Sequence, residues 1–114
     1  MIIDKPWGNE LIWARTPDYV GKLIHIKANN MLSRQYHAKK DESIYVMEGE
    51  LTLEVGEGDL MQTLVLTKGK SFRIAPYTVH RFIAKDVDVD VIEVSTPELD
   101  DVIRLTDAYG RKTI

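Results

Sequence analysis

The stretch Ser33-Arg34-Gln35-Tyr36-His37-Ala38-Lys39-Lys40-Asp41-Glu42 reads as the end of one strand, a short turn and the start of the next. A strand repeats every two residues, so Gln35 and His37 project from one face, with Arg34 and Tyr36 on the other. Glu42 follows after a gap of four residues, long enough for a turn, and opens a strand whose Ile44 and Val46 share its face. A second imidazole comes from far along the chain. His80 follows the turn-like Pro76-Tyr77-Thr78-Val79 and opens the strand His80-Arg81-Phe82. Two neutral imidazoles, a carboxylate and an amide oxygen form a donor set of intermediate hardness, suited to Zn²⁺, Mn²⁺, Fe²⁺, Co²⁺ or Ni²⁺. The chain has no cysteine, so any metal site must use nitrogen and oxygen ligands. His25 lies between Ile24 and Ile26 with no second candidate ligand nearby, and reads as a packed or interface histidine.

Outward from this stretch, helical periodicity is nearly absent. Short runs rich in β-branched and aromatic residues recur between Gly, Asn, Asp and Pro, which marks an all-β chain. Strands are expected over 10–14, 20–27, 33–37, 43–48, 51–55, 62–67, 71–74, 80–84 and 87–96. Turn signals separate them, among them Asn29-Asn30, Glu48-Gly49-Glu50, Gly56-Glu57-Gly58-Asp59 and Lys68-Gly69-Lys70. So many short, closely spaced strands favour a sandwich or barrel. The tail from Pro97 is the one segment with a helix-start signal, Pro97-Glu98-Leu99-Asp100-Asp101.

The 114 residues, 44% hydrophobic and 29% charged, match one soluble domain, expected to span 1–114. No apolar run approaches the roughly 18 residues of a membrane span. The N-terminal Met1-Ile2-Ile3-Asp4-Lys5-Pro6-Trp7 lacks the pattern of a secretory signal, so a cytoplasmic location is expected. The net charge of −3 with scattered bases argues against nucleic acid as a partner, and no membrane partner is expected. Asp86-Val87-Asp88-Val89-Asp90 alternates like a strand with one wet face.

In combination these residues resemble the cupins. The first cupin motif, Gly, five residues, His-x-His, three or four residues, Glu, six residues, Gly, aligns with Asn29, Gln35, His37, Glu42 and Gly49. The second, Gly, five residues, Pro-x-Gly-x-x-His, resembles Gly69 to His80, with Ala75 at the Pro and Tyr77 at the second Gly. Gln35 in place of the first His is similar to the phosphomannose isomerases and to the isomerase domain of the bifunctional mannose-1-phosphate guanylyltransferases. Lys5-Pro6-Trp7-Gly8, Leu32-Ser33-Arg34-Gln35-Tyr36-His37, Ile92-Glu93-Val94, Asp101-Val102-Ile103-Arg104-Leu105 and Tyr109-Gly110-Arg111 resemble segments of that domain.

The resemblance implies a double-stranded β-helix, a jelly-roll-like barrel with a short C-terminal extension. It implies a divalent metal on Gln35, His37, Glu42 and His80, a homodimer, and a small sugar phosphate as ligand. An aldose–ketose isomerase must hold the sugar's carbonyl and hydroxyl oxygens while a proton moves between adjacent carbons. Lys40, two residues before Glu42, is the candidate substrate-binding cation if the turn is extended, and otherwise belongs to a charged surface turn. Trp7 and Tyr109 fit a role in sealing the barrel ends. Arg104 and Arg111 fit surface ion pairs or a phosphate contact. The relatives' His-His-His-Arg run is replaced by His37-Ala38-Lys39-Lys40, so no general base is assigned. Glu93 and Tyr45 are the candidates, and Arg73 and Arg81 face in or out according to register. Three functions follow: isomerisation of mannose 6-phosphate to fructose 6-phosphate, non-catalytic binding of a sugar or sugar nucleotide, and a metal-dependent oxygenase.

Overall fold

Alternation of apolar and polar residues leaves each strand one face to bury, and two sheets packed face to face bury both sets. The computed structural model describes residues 1–111. The strands in chain order are β1 (Ile2–Lys5), β2 (Gly8–Arg15), β3 (Val20–Ile26), β4 (Asn30–Met31), β5 (Arg34–Tyr36), β6 (Glu42–Glu48), β7 (Glu50–Val55), β8 (Gln62–Thr67), β9 (Ser71–Ile74), β10 (His80–Ala84), β11 (Val89–Ser95) and β12 (Ile103–Thr106). One sheet runs β1-β2-β3-β11-β6-β9, the other β12-β5-β10-β7-β8 with β4 paired to β10. All pairings are antiparallel, and the fold is the double-stranded β-helix. Among the described residues no helix is long and apolar enough to cross a membrane.

The core lies between the sheets. Ile24, Ile26, Ile44, Val46, Val89 and Val91 come from the first sheet, and Leu51, Leu53, Phe82 and Ala84 from the second. In β6 the period of two is plain: Glu42, Ile44 and Val46 are buried, whereas Ser43, Tyr45 and Met47 are exposed. Glu42 is thereby carried inward at the end of an apolar row. A second row crosses the other sheet. Arg104 stands opposite Gln35, and Gln35 opposite His80, so all three share one face.

The turns support the alignment of the motifs. Asn29 and Tyr77, aligned with family glycines, are the two non-glycine residues with positive φ among those described, at 65° and 66°. Gly49 has φ 81°, and a Cβ there would run into the Asp88 carbonyl.

Several expectations are corrected. The tail holds no helix among the described residues: after the loop at 96–102 it forms β12, an edge strand paired with β5. β1 and the two-residue β4 carry too few residues for a local pattern and form because β2 and β10 offer them partners. His25 is not remote from carboxylates, since Nδ1 lies 2.6 Å from Asp90 and Nε2 3.4 Å from Asp88. The strand from Val89 to Ser95 pairs along β3 and lays Asp90 beside His25. Tyr45 points outward, away from the site. Arg73 faces solvent and pairs with Asp41, and Arg81 donates to the Leu32 and Thr106 carbonyls.

Candidate metal centre

His37, Glu42 and His80 each offer a donor atom, and those atoms lie within 4.8 Å of one another. His37 lies just past the end of β5, Glu42 opens β6 and His80 opens β10, so the group joins both sheets at one end of the barrel. His80 Nδ1 donates to the Thr78 carbonyl at 2.8 Å, and His37 Nδ1 donates to the Asp101 carbonyl. With Nδ1 carrying the proton, each ring turns an unprotonated Nε2 toward Glu42. Those nitrogens lie 3.5 Å (His80) and 3.7 Å (His37) from the Glu42 oxygens.

This geometry fits a divalent ion. Ligand atoms at ~2.1 Å from a tetrahedral or octahedral centre stand ~3.0–3.4 Å apart, so a small inward movement completes the set. Burial pushes the His80 imidazole down to about 4, and burial followed by the Lys40 charge lowers that of His37. Both rings are neutral at physiological pH, as ligands must be. Gln35 stands beside them: its Oε1 accepts from Ser33 Oγ at 2.6 Å, and its Nε2 is 3.5 Å from His37 Nε2. A half-turn of the amide would present the oxygen to an ion instead.

Lys40 enters the same cavity. Its ammonium lies 2.9 Å from Glu42 Oε2 and 3.2 Å from Glu93 Oε2, with all three side chains buried. Both oxygens are buried and, among the described residues, neither has a well-formed hydrogen bond. The interaction is therefore chiefly one of charge. Burial opposes the ammonium, but Glu93 and Glu42 outweigh it and raise the Lys40 pKa. Burial, then the Glu42 charge, raises the Glu93 carboxyl.

Asp101 braces the turn that delivers these groups. Its carboxylate accepts the backbone N–H of Ala38, Lys39 and Lys40 at 3.1, 2.6 and 3.0 Å. Although burial pushes its carboxyl up, those donors hold it below the usual range. The sequence singled out Asp101 only as part of a motif. Its bracing role depends on contacts 61 to 64 residues apart, for which no local pattern exists.

The depressed His80 pKa predicts the acid stability of the metal-free protein. The unfolded state takes up a proton near the ordinary value of 6.5, whereas the fold resists until about 4. The unfolded state then binds more protons, so stability falls as pH drops through this window, by about 3 kcal/mol. Urea unfolding between pH 7 and 4 measures this. A His80→Phe variant that loses as much stability as wild type over this range would contradict it.

The Cupin domain family model matches residues 22–95. The structure is similar to KdgF from Halomonas sp., at TM-score 0.77 and 24% identity over 89% of each chain. It is similar to the capsular polysaccharide assembling protein CapF from Staphylococcus aureus at TM-score 0.81 and 16% identity, covering 91% of this chain and 33% of that one. A sugar phosphate isomerase of the cupin superfamily from Silicibacter pomeroyi aligns at TM-score 0.67 and 21% identity, over 77% of this chain and 58% of that one. At these identities the likeness is one of fold. No curated protein matches the sequence.

Proposed function

The chain belongs to the cupin domain family, and from that premise we propose that it is a metal-dependent cupin that isomerises a phosphorylated hexose, mannose 6-phosphate to fructose 6-phosphate. The observation that carries this reading is the convergence of His37, Glu42 and His80 beside a cavity of about 390 Å³, a volume suited to a small sugar. Its motifs resemble phosphomannose isomerases, and one structural neighbour is a sugar phosphate isomerase.

In this reading Gln35, His37, Glu42 and His80 hold the ion. A divalent ion there supplies Lewis acidity toward the carbonyl and hydroxyl oxygens of the sugar. The carbonyls of Thr78 and Asp101 keep both imidazoles in the tautomer that ligation requires. Trp7, Ile24, Leu32 and Phe82 line the cavity with apolar surface and limit water there. Glu93 is the buried carboxylate closest in character to a proton-holding group, with its carboxyl raised and its oxygen facing Lys40. Lys40, proposed from the sequence to bind substrate, steadies the two carboxylates in the cavity wall.

One observation favours a second reading, sugar binding without turnover. Lys40 already engages Glu42 and Glu93, so Glu93 gives up its ion pair with Lys40 whenever it takes a proton. The two readings divide on an assay. Protein loaded in turn with Zn²⁺, Mn²⁺, Fe²⁺, Co²⁺ and Ni²⁺ is supplied with mannose 6-phosphate, and fructose 6-phosphate is measured, with Glu42→Ala as control. Isomerisation is expected in the wild type and absent in the control. Saturable binding without turnover under every metal would replace the isomerase with the binding protein.

A further inference from the structure

Lys40 is the cation the sequence offers for a substrate anion, yet its charge is matched by two carboxylates within the cavity wall. The other basic residues lining the cavity divide clearly. Lys22 pairs with Glu10 at 3.2 Å, and Arg111 pairs with Asp107. Lys5, Arg15 and Arg104 line the cavity without a salt-bridge partner among the described residues. Three unmatched positive charges thus face this one opening in a chain of net charge −3.

Arg104 stands apart from the other two. Lys5 and Arg15 lie at opposite ends of the β1–β2 hairpin, so they raise the local potential without meeting at a point. Arg104 lies opposite Gln35 on the edge strand of the other sheet, in one row with His80. Opposed residues have Cβ atoms about 4.5–5.5 Å apart, which places the base of its side chain one strand from the proposed ligands. Its Nε is buried and has no hydrogen-bond partner among the described residues. Asp107 feels the Arg104 charge but gives both of its oxygens to Arg111, and makes no direct contact with the Arg104 guanidinium.

A buried guanidinium nitrogen without an acceptor costs free energy that a bound oxyanion recovers. Guanidinium is planar and pairs with carboxylate or phosphate through two parallel hydrogen bonds. We infer that Arg104 is the anion-binding residue of the cavity, holding the phosphate or carboxylate of a sugar whose hydroxyl oxygens lie toward Gln35, His37, Glu42 and His80. Arg104 is thus a specificity residue, selecting acidic sugars over neutral ones. The inference rests on reading the cavity as a sugar site. The Arg104 contact itself requires only an oxyanion.

The test uses calorimetric titration of wild type, Arg104→Gln and Arg104→Lys, with melting temperatures confirming that each variant folds. In metal-loaded protein the probes are mannose 6-phosphate, glucuronate and mannose. In metal-free protein the probe is inorganic phosphate, which then has no metal to bind. Arg104→Gln is expected to weaken binding of the preferred acidic sugar by about 10- to 100-fold and to leave mannose unchanged. Arg104→Lys keeps the charge but not the fork, and should fall between. A stronger effect on mannose 6-phosphate identifies a phosphate, and one on glucuronate a carboxylate. If no sugar binds but metal-free wild type binds phosphate and Arg104→Gln does not, the sugar reading fails while the anion site stands. Equal affinities in wild type and Arg104→Gln, or no binding of any anion to the wild type, would overturn the inference.

Discussion

Replacing Lys40 with methionine is expected to lower the stability of the metal-free protein by about 3–5 kcal/mol, the usual cost of removing one partner from a buried charged group. The ammonium lies between Glu42 and Glu93, both almost wholly buried, and its contacts with them are 2.9 and 3.2 Å. Methionine fills much of the same space but leaves two carboxylates facing each other, with only the charge of Lys22, itself paired with Glu10, to offset them. For a domain of this size each kcal/mol corresponds to about 4 °C in melting temperature, so the loss is readily seen by calorimetry. Its pH dependence follows from Glu93. A carboxyl raised by burial and by Glu42 favours the fold while protonated and opposes it once ionised, so its effect worsens as pH rises above the ordinary value of 4.5. The variant should therefore lose more stability at pH 8 than at pH 5. Added divalent metal should restore part of it, because the ion neutralises Glu42. A variant that melts like wild type at pH 8 would show that Lys40 does not hold this pair together.

Glu42→Ala should have the opposite profile. The metal loses its only carboxylate ligand in the proposed set, and affinity should fall by at least about 100-fold, beyond the 10- to 100-fold typical of second-sphere changes. The metal-free fold should lose less than in the lysine variant, since Lys40 and Glu93 remain as a neutral pair. Affinity is measured by competition with a chromophoric chelator. Retention of wild-type affinity would remove Glu42 from the ligand set.

Much of this arrangement is legible in the alternation of residues. Gln35 and His37 on one face, and Glu42 with Ile44 and Val46 on another, follow from the period of two alone. The same rule places Glu93 on the inner face with Val89, Val91 and Ser95, once the strand's register is known. Register was the missing quantity, and it decides between Tyr45, which faces solvent, and Glu93, which does not. The tail shows a different limit. Pro97, Glu98, Asp100 and Asp101 satisfy local helix-start preferences, but the edge of β5 offers unpaired backbone groups that β12 satisfies. Asp101, read locally as a helix-start acid, is used instead to bind the turn at 38–40. The pairing of Lys40 with two carboxylates is likewise non-local, since Glu93 lies 53 residues beyond Lys40.

The most direct measurement is Co²⁺ uptake by the metal-free protein, followed by X-ray absorption spectroscopy of wild type, His37→Ala and His80→Ala. The expected result is one ion per chain with two imidazoles among nitrogen and oxygen ligands, and one imidazole lost in each variant along with much of the affinity. Failure of the wild type to take up a stoichiometric ion, or a spectrum unchanged by loss of either histidine, would contradict it.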